Sequence, residues 1–162
     1  MKSKRIARYA LLVALAMVLS WLESQVPLST AVPGVKLGLT NLVVLFALYR
    51  MSTIDAISIS LIRVVLVSFT FGNAYAFAYS LVGALLSFSI MWGMKKLGKF
   101  STVGVSVAGG VGHNLGQIMV ASIVLESSGI FYYFPALLIS GTLAGIAVGV
   151  VGGIITERLK KI

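Results

Sequence analysis

Apolar stretches separated by short polar connections run along nearly the whole chain. They cover residues 6–22, 37–49, 54–71, 75–94, 103–125 and 131–155. Hydrocarbon offers no partner to a bare backbone N–H or C=O, so an apolar run of ~20 residues reads as a helix across the ~30 Å core of a bilayer. The pattern predicts an all-α membrane protein of six transmembrane helices in a single integral membrane domain, residues 1–162. The second run is short for a crossing, and Lys36 and Arg50 can snorkel at its ends. The polar segment 24–36 holds Pro27 and Pro33 and reads as a structured loop. Gly72-Asn73 reads as a tight turn, 95–101 as a basic loop and 126–129 as another turn. Pro135 falls in the first turns of the last helix, where a missing N–H is tolerated.

Charge then orients the bundle. Lys2, Lys4, Arg5, Arg8, Arg50, Lys95, Lys96, Lys99, Arg158, Lys160 and Lys161 are eleven of the thirteen cations, and six crossings place them all on one face. Cytoplasmic loops hold positive charge, so both termini are expected in the cytoplasm, in a bacterial cell membrane. Lys36 is left outside and Arg63 within a span. The formal net charge of +9 raises nucleic acid as a partner. These charges flank apolar segments and form no stripe, and that reading fails. With 10% charged residues the chain cannot cover a water-facing surface. The absence of cysteine excludes disulfides, thiolate metal sites and a cysteine nucleophile. The first apolar run has Trp21 and Glu23 where a signal peptide would carry small cleavage-site residues, and it reads as a retained helix.

Small residues mark helix contacts. Gly141, Gly145, Gly149 and Gly153 recur every fourth residue, on one helix face, where they admit another backbone closely. Packing within the chain and a homodimer seam both use such a stripe. Ala10 and Ala14 make a shallower groove on the first helix.

Polar side chains at membrane depth need partners or a ligand. Arg63 lies mid-span. Asp55 is eight residues away, roughly 12 Å along a helix, too far for a direct pair. Glu23 and Glu126 come near Arg63 only if the outer loops fold inward. An anionic ligand, backbone carbonyls or snorkelling can each satisfy the guanidinium. His113, Asn114 and Gln117 gather within about one turn of the fifth helix, among glycines, and form a candidate polar site. Lys36, Gly38 and Asn41 at the start of the second helix make a candidate anion-binding corner. The bias of aromatic residues toward the outer side fits both an interface belt and an aromatic-lined pocket. No catalytic constellation and no metal site is expected, for want of a nucleophile–base pair or clustered ligands.

Trp21-x-Glu23, Pro33-Gly34-x-Lys36-x-Gly38-Leu39-x-Asn41 and Gly112-His113-Asn114-x-x-Gln117 together resemble the Gx transporter family, also known as heptaprenyl diphosphate synthase component I. The resemblance covers nearly the whole chain, and the loop motif is its most specific part. The short spans and structured first loop also look like the substrate-binding S component of energy-coupling factor (ECF) transporters. That resemblance implies an S-component-like bundle that captures a small solute on the outer side. It also implies partnership with a membrane coupling subunit and two ATPases, with the Ala10 and Ala14 pair matching the coupling contact. The substrate-binding candidates are then Glu23, Lys36, Asn41, Arg63, Tyr79, His113, Asn114 and Gln117, with Tyr79 resting on position alone. No cofactor is implied.

The synthase name meets a chemical objection. Prenyl diphosphate synthases hold diphosphate through Mg²⁺ and aspartate-rich motifs, because hard cations need carboxylate oxygens. Asp55 is the single aspartate here. The first expectation is therefore a non-enzymatic substrate-binding subunit of an importer for a small anionic or aromatic solute, vitamin-like or isoprenoid- or quinone-related. The second is a non-catalytic membrane partner of isoprenoid or quinone synthesis or of flavin-linked redox machinery. A self-contained carrier is third; it lacks acid pairs for proton coupling.

Overall fold

The computed structural model describes residues 2–25 and 38–159. Pro27, Pro33 and Lys36 before the second helix, and Lys160 and Lys161 in the tail, lie outside the described residues. The elements are α1 (Lys2–Gln25), α2 (Leu39–Arg50), α3 (Thr53–Phe71), α4 (Ala74–Leu97), α5 (Thr102–Val124), a short 3-10 helix (Ser128–Tyr133) and α6 (Phe134–Arg158). α1, α3, α4, α5 and the segment Ser128–Arg158 are long and apolar enough to cross a membrane. Their outer faces are apolar too. Ile6, Phe69, Ile123 and Leu143 are 63–84% exposed, and patches of this kind are stable against lipid and not against water. The chain is an all-α membrane protein.

Each boundary has a local cause. Ser52 and Asp55 form a reciprocal capping box at the start of α3, and the Asn73 and Ser101 side chains cap α4 and α5. Gly98 ends α4 with a left-handed φ of 68°. The last apolar run departs from the expected helix start at 131. Residues 128–133 wind as a 3-10 helix and α6 begins at Phe134, with Pro135 in its first turn.

α2 has 12 residues, about 18 Å at 1.5 Å per residue, too short for the hydrocarbon core. It does not face lipid as the others do. Val43, Val44, Leu45, Ala47 and Leu48 are at most 2% exposed, with α1, α3 and α6 packed around them. Protein, not membrane thickness, sets its length.

Cations gather at one end of the bundle and tie helices together there. Arg50 Nη2 donates to the Leu159 carbonyl at 2.7 Å. Lys95 Nζ donates to the Leu48 carbonyl and lies over the Tyr49 ring, 5.2 Å from its centroid. Positive charge on helix C-terminal carbonyls complements the helix dipole. Arg5 and Tyr9 of α1 both donate to Oδ1 of Asp55. The Asp55 carboxylate at the start of α3 is thus engaged by α1, two turns from Arg63.

α5 is sandwiched between α4 and α6, and at several glycines the backbones meet directly. A Cβ added at Gly116 would lie 2.8 Å from Gly83 Cα; one at Gly145 would lie 2.5 Å from Val107 Cα, and one at Gly149 2.7 Å from Val103 Cα. Gly141 also faces α5, 2.8 Å from Asn114 Nδ2 by the same measure. Gly153 stands off, its nearest neighbour being Thr102 Cβ at 3.9 Å. α1 is the loosest helix. Leu12 and Ala16 are buried, while Ala10, Ala14, Leu11, Leu15 and Val18 are exposed.

Candidate functional site

A cavity of about 330 Å³ opens among the helices, toward the end opposite the cation cluster. Ser20 and Glu23 reach it from α1; Gly38, Thr40 and Asn41 reach it from the first turn of α2. α3 contributes Arg63, Val67, Ser68 and Phe71, and α4 contributes Ala76 and Ser80. α5 lays Ser106, Gly110, His113 and Asn114 along one face, and α6 closes the wall with Gly141, Ala144, Gly145 and Val148. The glycine contacts of α5 with α6 let a small hollow form here without pushing the helices apart.

Arg63 is the central group. It is 7% exposed. Nη1 donates to Thr40 Oγ1 at 2.5 Å, and Nε and Nη2 are buried with no hydrogen-bond partner among the described residues. Thr40 therefore holds one corner of the guanidinium and leaves the Nε–Nη2 edge, two parallel N–H groups suited to a bidentate oxyanion. Buried charge without full pairing is costly, and membrane proteins keep it where it serves a solute or a partner.

Glu23 supplies the opposite charge. The sequence placed it near Arg63 only by inward folding. In the structure it lines the same cavity, and its attraction reaches the guanidinium. Its Oε1 accepts the Gly38 N–H, at the positive end of α2. Gly38 has φ 67°, a conformation that favours glycine. The hard turn into α2 and the carboxylate above it are thus one arrangement.

His113 is half-buried at the wall, backed by Gly83, where an added Cβ would stand 3.0 Å from the imidazole. Asn114 is buried and donates to the Leu137 carbonyl at 2.7 Å, bridging α5 to α6. Of the sequence candidates, the structure brings Glu23, Asn41, Arg63, His113 and Asn114 to one cavity. Tyr79 and Gln117 do not line it, and Lys36 lies outside the described residues. A helix turns about 100° per residue, so a cavity served by Ala76 and Ser80 is turned away from Tyr79. Gln117 is one turn beyond Asn114, where α5 is already closed against its neighbours.

The expectation of an aromatic-lined pocket needs correction. Among the described residues of the lining, Phe71 and the His113 imidazole are the aromatic rings. Phe69, Tyr75 and Tyr132 are 62–90% exposed and point outward, as interface residues do. Among the described residues the wall instead mixes hydroxyls, amides and close backbone with the aliphatic side chains of Val67, Ala76, Ala144 and Val148. Ser20, Thr40, Ser68, Ser80 and Ser106 escaped the sequence reading because serine and threonine are ordinary in apolar helices. The spacing 106, 110, 114 on α5 carries the one signal, a polar and small stripe along a single face.

The family model described as heptaprenyl diphosphate synthase component I matches residues 12–155. No curated protein and no solved structure matches the chain. The matched stretch contains every residue that lines the cavity, and the chain belongs to the heptaprenyl diphosphate synthase component I family.

Proposed function

We propose that this chain is a substrate-binding membrane subunit of an importer, resembling an ECF S component, that captures a small polar solute and is energised by ATPases acting through a separate coupling subunit. In this reading six helices lie in the cell membrane as one domain, the short α2 among them, with both termini in the cytoplasm. The cavity opens outward. The observation that carries the reading is Arg63, buried at membrane depth beside the hollow, with one edge of its guanidinium lacking a hydrogen-bond partner among the described residues. A polar hollow lined by Arg63, Thr40, Asn41 and Asn114 suits holding a solute, and the proposed role is binding, not catalysis.

The exposed Ala10 and Ala14 face on loosely packed α1 suits close approach by another helix. Ala10→Leu with Ala14→Leu is expected to abolish co-purification of the coupling subunit and ATPases from native membranes while retention of the bound solute is unchanged. Co-purification at the wild-type level removes that face from the interface. The family name favours a second reading, a non-catalytic membrane partner of prenyl diphosphate synthesis. It predicts that a soluble synthase subunit co-purifies and that cells do not accumulate a solute through this chain.

A further inference from the structure

We infer that the solute is a small organic oxyanion, a carboxylate or a phosphate, that enters head first and seats two of its oxygens on the Nε–Nη2 edge of Arg63, deep in the cavity. The inference rests on the capture reading above and sharpens it to a chemical class and a direction of binding.

The depth of Arg63 follows from chain direction. α3 starts at the cation end of the bundle, and α2 and α6 finish there. Arg63 lies about ten residues into α3, while Thr40 and Val148 lie about ten residues before Arg50 and Arg158, so each is roughly 15 Å from that end. The three share a level. Toward the mouth the lining continues with Val67 and Phe71 on α3 and with Ala144 and Gly141 on α6, each helical turn adding about 5 Å. A solute that reaches the guanidinium has passed these residues, and the group it leads with is the one that Arg63 reads.

The guanidinium decides what that group is. Arg63 is 7% exposed, and Thr40, which accepts from Nη1, is 4% exposed. Nε and Nη2 have no hydrogen-bond partner among the described residues. A planar group pinned at one corner cannot turn its remaining edge elsewhere without giving up the Thr40 bond. Two parallel N–H groups in one plane match two oxygens of one oxyanion, through short charge-assisted bonds. A neutral carbonyl offers them a single oxygen, and an N–H left buried and unpaired is costly. Glu23 lines the same hollow but does not fill this edge; its Oε1 accepts the Gly38 N–H at the turn into α2.

The cavity limits the rest of the solute. A volume of about 330 Å³ lies at the lower end for ligand pockets. Val67 and Ala144 alternate there with the hydroxyls of Ser68 and Ser80, which suits a compact body of mixed polarity. A long acyl or polyprenyl chain has no room in it.

The test uses the full chain purified from native membranes as wild type, Arg63→Lys and Arg63→Gln. Retained small molecules are extracted and identified by mass spectrometry, with carboxyl-selective derivatisation and phosphatase treatment to tell a carboxylate from a phosphate. The expected wild-type solute carries one or the other. Its retention falls by at least about 30-fold in Arg63→Gln, the loss that accompanies removal of one partner from a desolvated charge pair. Arg63→Lys keeps the charge without the paired N–H groups, and a loss of at least about tenfold is expected there. A third readout needs no variant. The identified solute and its fully methylated ester are added back to the wild type, and the ester, with its head neutral, is expected to bind at least about 30-fold more weakly. A small solute without an oxyanion, or one retained equally by Arg63→Gln, overturns the inference and leaves capture standing. So does an ester that binds as well as the free acid, and wild-type retention in Arg63→Lys overturns the two-oxygen seat. A retained long-chain lipid, or a wild type that holds no small molecule, overturns both readings. If Arg63→Gln does not fold, the class of the solute and the ester comparison decide.

Discussion

Replacing Gly149 with alanine adds one methyl group to the tightest kind of contact in this bundle. The new Cβ would stand 2.7 Å from Val103 Cα and 3.0 Å from Ser106 Cβ. Carbon atoms rest about 3.5–4.0 Å apart, so the deficit is roughly 1 Å. Val103 Cα is backbone, and no rotamer change relieves the overlap; α5 and α6 must separate. Overpacking of this size costs about 1–3 kcal/mol. Alanine also favours helix over glycine by about 1 kcal/mol, which partly masks that loss. Gly153→Ala removes the ambiguity. It lies one turn further along the same helix and makes the same propensity gain, but its nearest neighbour is 3.9 Å away. The difference between the two variants isolates the packing cost, and Gly149→Ala is expected to be the less stable by about 1–3 kcal/mol. Reversible unfolding in mixed micelles, followed by circular dichroism against the mole fraction of denaturing detergent, measures it. Neither residue lines the cavity, so ligand loss does not confuse the result. If the two variants unfold together, α5 and α6 are not packed on this stripe and the tight-seam argument is wrong.

Three further outcomes follow from other parts of the structure. Gln117 is buried, outside the cavity, with Oε1 lacking a hydrogen-bond partner among the described residues. An unmet buried acceptor costs about 1–3 kcal/mol, so Gln117→Met is expected to unfold no earlier than wild type and to retain solute normally; a tenfold loss of retention would bring Gln117 back into the site. Asp55→Asn removes the charge that Arg5 and Tyr9 share, and faster tryptic cleavage after Arg5 and Arg8 is expected; an unchanged rate means that α1 is held elsewhere. The chain has no cysteine, so single cysteines placed at Ser3, Asn73, Lys99 and Glu126 give a topology without background. Membrane-impermeant reagent added to intact cells should label positions 73 and 126 and spare 3 and 99, and the reverse pattern inverts the proposed orientation.

The helices were legible because bilayer physics writes them coarsely. Apolar runs and clustered cations mark where each helix begins and ends to within a few residues, and Gly72-Asn73 and Pro135 punctuate them. The six-residue 3-10 segment before α6 was not legible, since its residues, Ser128–Tyr133, are as apolar as a helix start. Nor were the caps at Ser52 and Ser101, where a serine among many carries no mark of its own. Within the site, Arg63, His113 and Asn114 stood out because a strongly polar group in an apolar run is expensive. Ser68 and Ser106 did not, because their cost in hydrocarbon is small. Periodicity misled at Gln117, which shares a face with His113 but lies past the end of the hollow. The meeting of Glu23 with Arg63 depends on how the end of α1 sits over the start of α2, a tertiary fact that spacing along one helix does not contain.

α2 has a consequence for biogenesis. Its twelve residues are too few to hold a place in hydrocarbon unaided, and its sides are finished by neighbours made both before and after it. A translocon releasing segments one at a time would have nothing stable to release at this point. α2 must wait at the protein-conducting pore, or lie at its edge, until its later neighbours α3 and α6 are made.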